Sequence, residues 1–167
     1  MADTATFDIY DDKGTKVVDG KPSPDVISSL TSNSVFSGYG ATYAGKTAKL
    51  ALPDIVTTPG KPTVAVTAGD GKLTYTITPA TGDGAAERSY VVSHSTDGKA
   101  FTDVETSTVT GDITGLMNDT AYTVKVTAKN AGGSSTESDS VTGTPTASKP
   151  KLGNISTTAN SATIELS

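Results

Sequence analysis

Few residues in this chain have the types and the spacing that catalysis or metal binding requires. His94 is the only histidine, and a nucleophilic triad would need a serine and an aspartate converging on it. The pattern around His94 indicates the end of a β-strand just before a hairpin, which is an ordinary exposed position. We therefore predict no catalytic residue, and the chain is not expected to be an enzyme.

The acidic residues also favour structural roles. Asp11, Asp12 and Asp70 stand where turns are expected, and aspartate is common there because it bonds to nearby backbone. A calcium loop needs several oxygen ligands at fixed spacing, which these residues do not provide. Gly82-Asp83-Gly84 precedes no helix and is interpreted as a turn, not a phosphate cradle. No metal and no cofactor are predicted.

Three rings form the remaining candidate site. Phe36, Tyr39 and Tyr43 lie in a stretch rich in glycine and serine, where they could form a stacking platform for sugars. The interpretation that we favour is a core role, because burying one ring removes a large apolar area from water.

Composition narrows the class of protein. The 167 residues carry a net charge of −5, only 5% aromatic residues and no cysteine, which excludes disulfides and thiolate metal sites. Lysines are scattered without a basic stripe, so nucleic acid is not an expected partner. No run of 18 apolar residues and no leader pattern after Met1 are seen, so we expect no membrane contact and production in a cytoplasm.

The chain is built from an internal repeat of β-strand patterns, and residues 61–145 read as one complete copy. Leu73, Tyr75 and Ile77 alternate with threonines, which predicts a strand with one apolar face. Tyr122, Val124 and Val126 alternate in the same way. Thr96-Asp97-Gly98-Lys99 predicts a hairpin turn. No helical period is present, so the fold is expected to be all-β.

A family resemblance rests on the later strands of this copy. Ile113-Thr114-Gly115-Leu116, followed by a polar turn and the run from Thr120 through Tyr122 to Asn130-Ala131-Gly132-Gly133, resembles the fibronectin type III pattern. The resemblance implies an Ig-like β-sandwich. It also implies that Tyr122 sits at a strand corner with its hydroxyl bonded back to the backbone.

The two ends match different halves of this copy. Residues 1–59 parallel the later strands and predict a small partial Ig-like domain, followed by a complete sandwich over 60–146. Residues 147–167 parallel only the first two strands and predict a linker and a β-hairpin. The proline-bearing segments 57–62 and 144–150 are expected to be semi-rigid spacers.

Each incomplete end is predicted to expose apolar residues that could contact a partner. In the first segment these are Phe7, Ile9, Ile27 and Leu30, and in the last they are Leu152, Ile155, Ile164 and Leu166. The strands of one subunit could complete the sheet of a neighbour and form a homo-oligomer. The alternative is that the first segment is a self-sufficient domain and that the given sequence stops before a third module ends.

Function is predicted from a second resemblance. Cysteine-free arrays of such modules are similar to Ig-like and fibronectin-like structural proteins in the virions of tailed bacteriophages. The resemblance implies a virion protein, assembled in the host cytoplasm, that decorates the capsid as a head decoration or head fibre protein. Its partners would be other virion proteins and, weakly, host-surface glycans. The alternatives are a tail-associated virion protein and an extracellular carbohydrate-binding or spacer module of a bacterial surface protein.

Overall fold

The computed structural model describes residues 5–86, 88–150 and 152–166, with side chains up to Glu165. This part of the chain is all β, and it holds no helix that could cross a membrane. Its strands are β1 (Thr6–Tyr10), β2 (Lys16–Pro22), β3 (Val35–Phe36), β4 (Gly40–Tyr43), β5 (Leu50–Ala51), β6 (Ile55–Val56), β7 (Thr63–Gly69), β8 (Lys72–Thr78), β9 (Ser89–Ser95), β10 (Thr102–Thr106), β11 (Thr110–Thr114), β12 (Tyr122–Asn130), β13 (Gly133–Ser134), β14 (Val141–Gly143), β15 (Leu152–Thr158) and β16 (Ser161–Leu166).

Strands β7–β14 form the central module, which is a two-layer sandwich. One sheet has the order β11-β8-β7, and the other has the order β10-β9-β12-β13, with β14 also paired to β12. The predicted alternation is confirmed, because the apolar side chains of the two sheets meet between the layers. The buried core consists of Val64, Leu73, Tyr75, Ile77, Tyr90, Val92, Ile113, Leu116, Tyr122, Val124, Val126 and Ala128.

The predicted tyrosine corner is present. The Tyr122 hydroxyl accepts a hydrogen bond of 3.0 Å from the Met117 N–H, five residues upstream. The ring is buried, so the bond satisfies a polar group inside an apolar layer. It ties the loop before β12 to the core.

The last strand of the central module is shorter than the sequence suggests. An extended strand is expected over 138–144, but only Val141–Gly143 forms β14. Ser138 explains the difference, because its hydroxyl accepts the Val126 N–H at 2.9 Å in place of a backbone carbonyl. A side chain that occupies the neighbouring donor interrupts the regular ladder.

Strands β1–β6 form the N-terminal unit. Its main sheet has the order β2-β1-β4-β5, and β3 pairs separately with β6. This order reproduces that of β10-β9-β12-β13, which supports the parallel drawn between the two segments. The segment from Ile27 to Leu30, which parallels Ile113 to Leu116 in sequence, forms no strand, and Ser29 has a positive φ of 62°, as the matching Gly115 has at 74°.

The predicted C-terminal hairpin is present as β15 and β16, which pair antiparallel. We call this pair the terminal hairpin. Its turn is made by Ala159 and Asn160, between the paired Thr158 and Ser161. Every described side chain in the hairpin is exposed.

Candidate interaction surfaces

One face of the N-terminal sheet is apolar and open. Phe7 is paired with Tyr43, and Ile9 with Ala41, so these four side chains share a face of the sheet. Leu50 joins them through its pairing with Ala41. We call the face formed by Phe7, Ile9, Ala41, Tyr43 and Leu50 the acceptor face. Sequence analysis singled out Phe7 and Ile9, and the structure brings them together here.

An open apolar groove of about 330 Å³ lies at the Phe7, Ile9 and Ala41 part of the acceptor face, and residues 21–25 and Leu52 complete its lining. Tyr43 and Leu50 border a separate hollow beside it. Phe7, Ile9 and Val18 form the floor of the groove, and Lys21 and Asp25 contribute charged groups to its rim. Phe7 and Ile9 are only half-buried. In the central module the corresponding strands β9 and β12 carry Val92 and Val126, which are fully buried under β7 and β8. No described strand gives the N-terminal sheet an equivalent cover.

The three rings of the N-terminal unit have different environments. Tyr39 is buried and meets Phe36 edge to face at 6.3 Å, so the expected core role fits Tyr39 and, in part, Phe36. For Tyr43 that expectation is wrong, because its side chain is 62% exposed. Its ring lies 5.2 Å from the ring of Phe7 at the edge of the acceptor face. The physical reason is the missing second layer above this sheet.

The opposite face of the same sheet is closed by polar contacts. The Asp8 carboxylate, which is almost fully buried, accepts the Gly20 N–H at 2.8 Å and the Gly45 N–H at 3.3 Å. The Lys16 ammonium lies 3.2 Å from the same group. The Gly20 hydrogen bond contributes most to lowering the pKa of Asp8, with Lys16 and Gly45 adding to it and burial opposing it. Among the described residues, no strand covers the acceptor face, whereas polar groups fill this opposite side of the sheet.

Ile27 and Leu30 were predicted to belong to the same exposed surface. Both are half-buried, and neither contributes to the groove described above. They lie in the irregular segment between β2 and β3. The structure thus groups Phe7 and Ile9 but does not join Ile27 and Leu30 to them.

The terminal hairpin offers a second apolar surface. Ile155 is paired with Ile164 across the hairpin, and their side chains are 51% and 60% exposed. Leu152 is 61% exposed and pairs through its backbone with Leu166, whose side chain lies outside the described part of the structure. The predicted apolar residues of this segment therefore pair with one another along the hairpin.

The terminal hairpin repeats the register of β7 and β8. In the central module the pairs are Val64 with Ile77, Val66 with Tyr75, and Ala68 with Leu73. In the hairpin the pairs are Leu152 with Leu166, Ile155 with Ile164, and Thr157 with Ala162. Both hairpins turn over two residues, and a bulge between Leu152 and Ile155 is the difference. The terminal hairpin is therefore a copy of the strands that cover β9 and β12.

A buried asparagine joins the N-terminal unit to the central module. Asn33 is fully buried, and its amide donates to the carbonyls of Gly84 and Ala86 at 3.0 and 2.9 Å. Its carbonyl accepts from the Asn130 amide at 3.0 Å. Asn130 also donates to the Thr57 carbonyl. Sequence analysis missed this contact, because Asn33 reads as an ordinary loop residue.

Asp83 is the second centre of this junction. Its carboxylate accepts from the Ser32 hydroxyl at 2.5 Å and the Gly60 N–H at 2.9 Å. The Arg88 guanidinium lies 2.7 Å away. The interpretation of Gly82-Asp83-Gly84 as a turn agrees with the structure, but the turn also holds the N-terminal unit.

His94 is not as exposed as the sequence suggested. Its ring lies 6.1 Å from that of Tyr122, and its Nδ1 is buried without a hydrogen-bond partner. Burial lowers the pKa of His94, and the nearby Asp103 carboxylate opposes that shift. The Ser93 hydroxyl donates a hydrogen bond of 2.6 Å to the Asp103 carboxylate. Because Ser93 is next to His94 in β9, the two side chains point to opposite faces of the sheet. This geometry does not assemble a triad.

The acidic turn residues have the structural roles expected of them. Asp11 accepts the N–H groups of Lys13 and Thr15 at 3.0 and 2.7 Å. Asp70 accepts from the Asn118 amide and the Ser148 hydroxyl, both at 2.8 Å, and these bonds lower the pKa of Asp70. Among the described residues, no group of three histidine, cysteine or acidic side chains could hold a metal ion.

Comparison with known proteins identifies the central module. A family model described as the fibronectin type III domain matches residues 57–144, which is more than half of the chain. No curated protein matches the chain.

The fold is shared with solved structures. The sixth fibronectin type III domain of human fibronectin type III domain containing protein 3 is 20% identical over 58% of this chain and 95% of that chain, with a TM-score of 0.50. The FN5 domain of Drosophila Lar is 21% identical over 55% of this chain and 100% of that chain, with a TM-score of 0.45. A structure of titin kinase and its flanking domains is 22% identical over 52% of this chain, with a TM-score of 0.46, but only 17% of that chain is covered. With the family match over residues 57–144 and the sandwich described above, the chain belongs to the fibronectin type III family.

Proposed function

We propose that this protein is a non-catalytic structural protein in which the central module is a spacer and the two terminal segments make the contacts. The observation that carries the proposal is the position of the two open apolar surfaces. The acceptor face belongs to the N-terminal unit, which joins the central module at the end where the Gly60 N–H bonds to Asp83. The terminal hairpin follows the other end, where the Thr146 N–H bonds to the Gly69 carbonyl. Contact surfaces at opposite ends of a compact module suit a linking element.

The junction supports a spacer role. The contacts made by Asn33 and Asp83 are buried, and the nearby Pro59 and Pro62 are buried as well. At Gly132 an added Cβ would run into the Val56 backbone, which shows how closely the two units approach. Such a junction restricts bending between the N-terminal unit and the central module.

We propose the virion of a tailed bacteriophage as the setting, with the protein decorating the capsid through its terminal segments. Two features support this setting: the resemblance of the sequence to modular virion proteins and the absence of cysteine. A tail-associated position is the alternative within the same particle.

Electron microscopy of purified particles tests this setting. Particles from a host that expresses the gene should show an added density on the head, and particles from a deletion strain should lack it. Adding the purified protein to the deleted particles should restore the density. A tail density would support the alternative position, and a particle with no protein bound under either condition would contradict the virion role.

A second candidate is an extracellular carbohydrate-binding or spacer module, and the exposure of Tyr43 favours it. An exposed ring beside Phe7 can stack on a sugar face. Saturable binding to a glycan array that is lost in Tyr43→Ala and retained in Tyr10→Ala would support this function. Unchanged binding in Tyr43→Ala would argue against it.

A further inference from the structure

We propose that the terminal hairpin of one copy of this chain docks on the acceptor face of a second copy and supplies the missing layer of its sandwich. This deepens the proposed structural role by naming the partner of the terminal surfaces. The copies would add head to tail, because the contact joins two different surfaces and leaves one of each free.

The central module already contains the contact that we propose between copies. There the hairpin formed by β7 and β8 covers β9 and β12, and Val92 and Val126 become fully buried. The N-terminal sheet has the same strand order as that covered sheet. The terminal hairpin has the same register as the hairpin that covers it, apart from one bulge. The chain therefore carries both halves of a second sandwich in separate places.

Both surfaces present exposed apolar side chains. The acceptor face offers Phe7, Ile9 and Leu50, and the hairpin offers Leu152, Ile155 and Ile164. Leu50 is 69% exposed, and Ile164 is 60% exposed. Joining the faces would remove apolar area from water on both sides, which is the main favourable term in such association.

The tether before the terminal hairpin is too short for the hairpin to dock in its own chain, which favours docking on a second copy. The Thr146 N–H bonds to the Gly69 carbonyl, and the Ser148 hydroxyl bonds to Asp70, so the tether is held at that end of β7. From Ser148 to Leu152 a fully extended chain spans at most about 14 Å. The acceptor face lies beyond the Thr63 end of β7, roughly 20 Å from Gly69 along the strand. Leu152, where the hairpin begins, therefore cannot reach the acceptor face of its own chain while these bonds persist.

The experiment is sedimentation velocity of the full chain over a dilution series, with two matched pairs of variants. Ile155→Glu with Ile164→Glu disables the hairpin, and Tyr43→Glu with Leu50→Glu disables the acceptor face. All four side chains are more than half exposed, so the units should still fold. Each pair should weaken association roughly 100-fold or more, because an unpaired carboxylate would be buried at the contact.

Mixing the two disabled variants gives the decisive result. Each should be monomeric alone, while the mixture should form a 1:1 dimer and nothing larger, because only one good hairpin and one good face remain. The controls are Thr163→Glu, which is paired with Ser156 on the other face of the hairpin, and Val35→Glu, which is paired with Val56 and lies outside the acceptor face. Both should assemble as the unmodified chain does.

Several outcomes would overturn the inference. These are a monomeric unmodified chain at every concentration, assembly of either disabled variant alone, or a mixture that stays monomeric. No particle is needed for this measurement, so it can fail while the proposed virion role stands, and the reverse also holds.

Discussion

The Tyr122 hydroxyl ties the loop before β12 to the core by accepting a hydrogen bond from the Met117 N–H. Tyr122→Phe keeps the ring but leaves that N–H without its partner, and we expect a loss of about 1–3 kcal/mol in the free energy of unfolding. Urea titration followed by circular dichroism measures it. Tyr43→Phe is the control, because the exposed ring of Tyr43 should change stability little. Equal losses in both variants would contradict the assigned role of the corner.

Asp8 predicts how the N-terminal unit responds to acid. The pKa of Asp8 is lowered from 3.8, chiefly by the Gly20 N–H, so the unfolded state binds a proton more readily than the folded state does. The stabilisation is present above pH 3.8 and is lost as the pH falls through the lower folded value. The amide signals of Gly20 and Gly45 should report this titration in an NMR experiment. A midpoint at or above 3.8 would contradict the prediction, and Asp8→Asn should abolish the shared titration.

The lowered pKa of His94 predicts that the free energy of unfolding also depends on pH in a less acidic range. Burial lowers its pKa below 6.5, so the folded chain favours the neutral ring while the unfolded chain accepts a proton. The free energy of unfolding should therefore fall as the pH drops below 6.5. His94→Leu should remove that dependence between pH 7.5 and 5, measured by urea titration at each pH. Because His94 is the only histidine, an unchanged slope in the variant would contradict this assignment.

Individual residues differ in how far sequence reveals their role. The role of Tyr122 could be predicted, because the sequence pattern from Ile113 to Tyr122 is typical of a tyrosine corner. The roles of Tyr43 and His94 could not, because their burial depends on which other strand lies over them. That information comes from tertiary packing and not from the residues on either side.

At the scale of the elements, the junction between the N-terminal unit and the central module makes a specific prediction. Asn33→Ala removes the donor to the carbonyls of Gly84 and Ala86, and it removes one of the two acceptors of the Asn130 amide, which keeps the Thr57 carbonyl. We expect a loss of about 1–3 kcal/mol from the unpaired buried groups, with looser coupling between the units. NMR relaxation should show one rotational correlation time for both units in the unmodified chain and two in the variant.

An exposed contact near the same junction provides the control. The Lys61 ammonium lies 2.8 Å from the Asp139 carboxylate, which is 91% exposed. Exposed ion pairs contribute little to stability, so Lys61→Ala should leave the single correlation time unchanged. A variant at Asn33 that also keeps one correlation time would show that the junction is held by other contacts.

The strands of the central module follow closely from sequence, because Leu73, Tyr75 and Ile77 alternate without interruption. The segment around Ile27 and Leu30 parallels residues 113–116 in sequence but forms no strand, because apolar spacing alone does not supply a neighbouring strand to pair with. The junction was missed for another reason. Asn33 and Asp83 look like turn residues, and only the packed structure shows that their side chains reach across to a second unit.

For the molecule as a whole, head-to-tail docking predicts a characteristic response to salts. An apolar contact is strengthened by sulfate, which is excluded from protein surfaces. Sodium sulfate should therefore raise the assembled fraction in sedimentation more than sodium chloride at the same ionic strength. An equal response to both salts would indicate that charge screening controls the association, and it would contradict an apolar contact.

The two open surfaces lie at opposite ends of the central module, and this gives any assembly a direction. Every copy would point the same way, so the chain of copies would have two unlike tips, one with a free sheet and one with a free hairpin. Growth could then start from a single anchored copy and proceed outward from it. A fragment that carries the hairpin but lacks a working acceptor face would act as a terminator, and its proportion would set the length of the fibre.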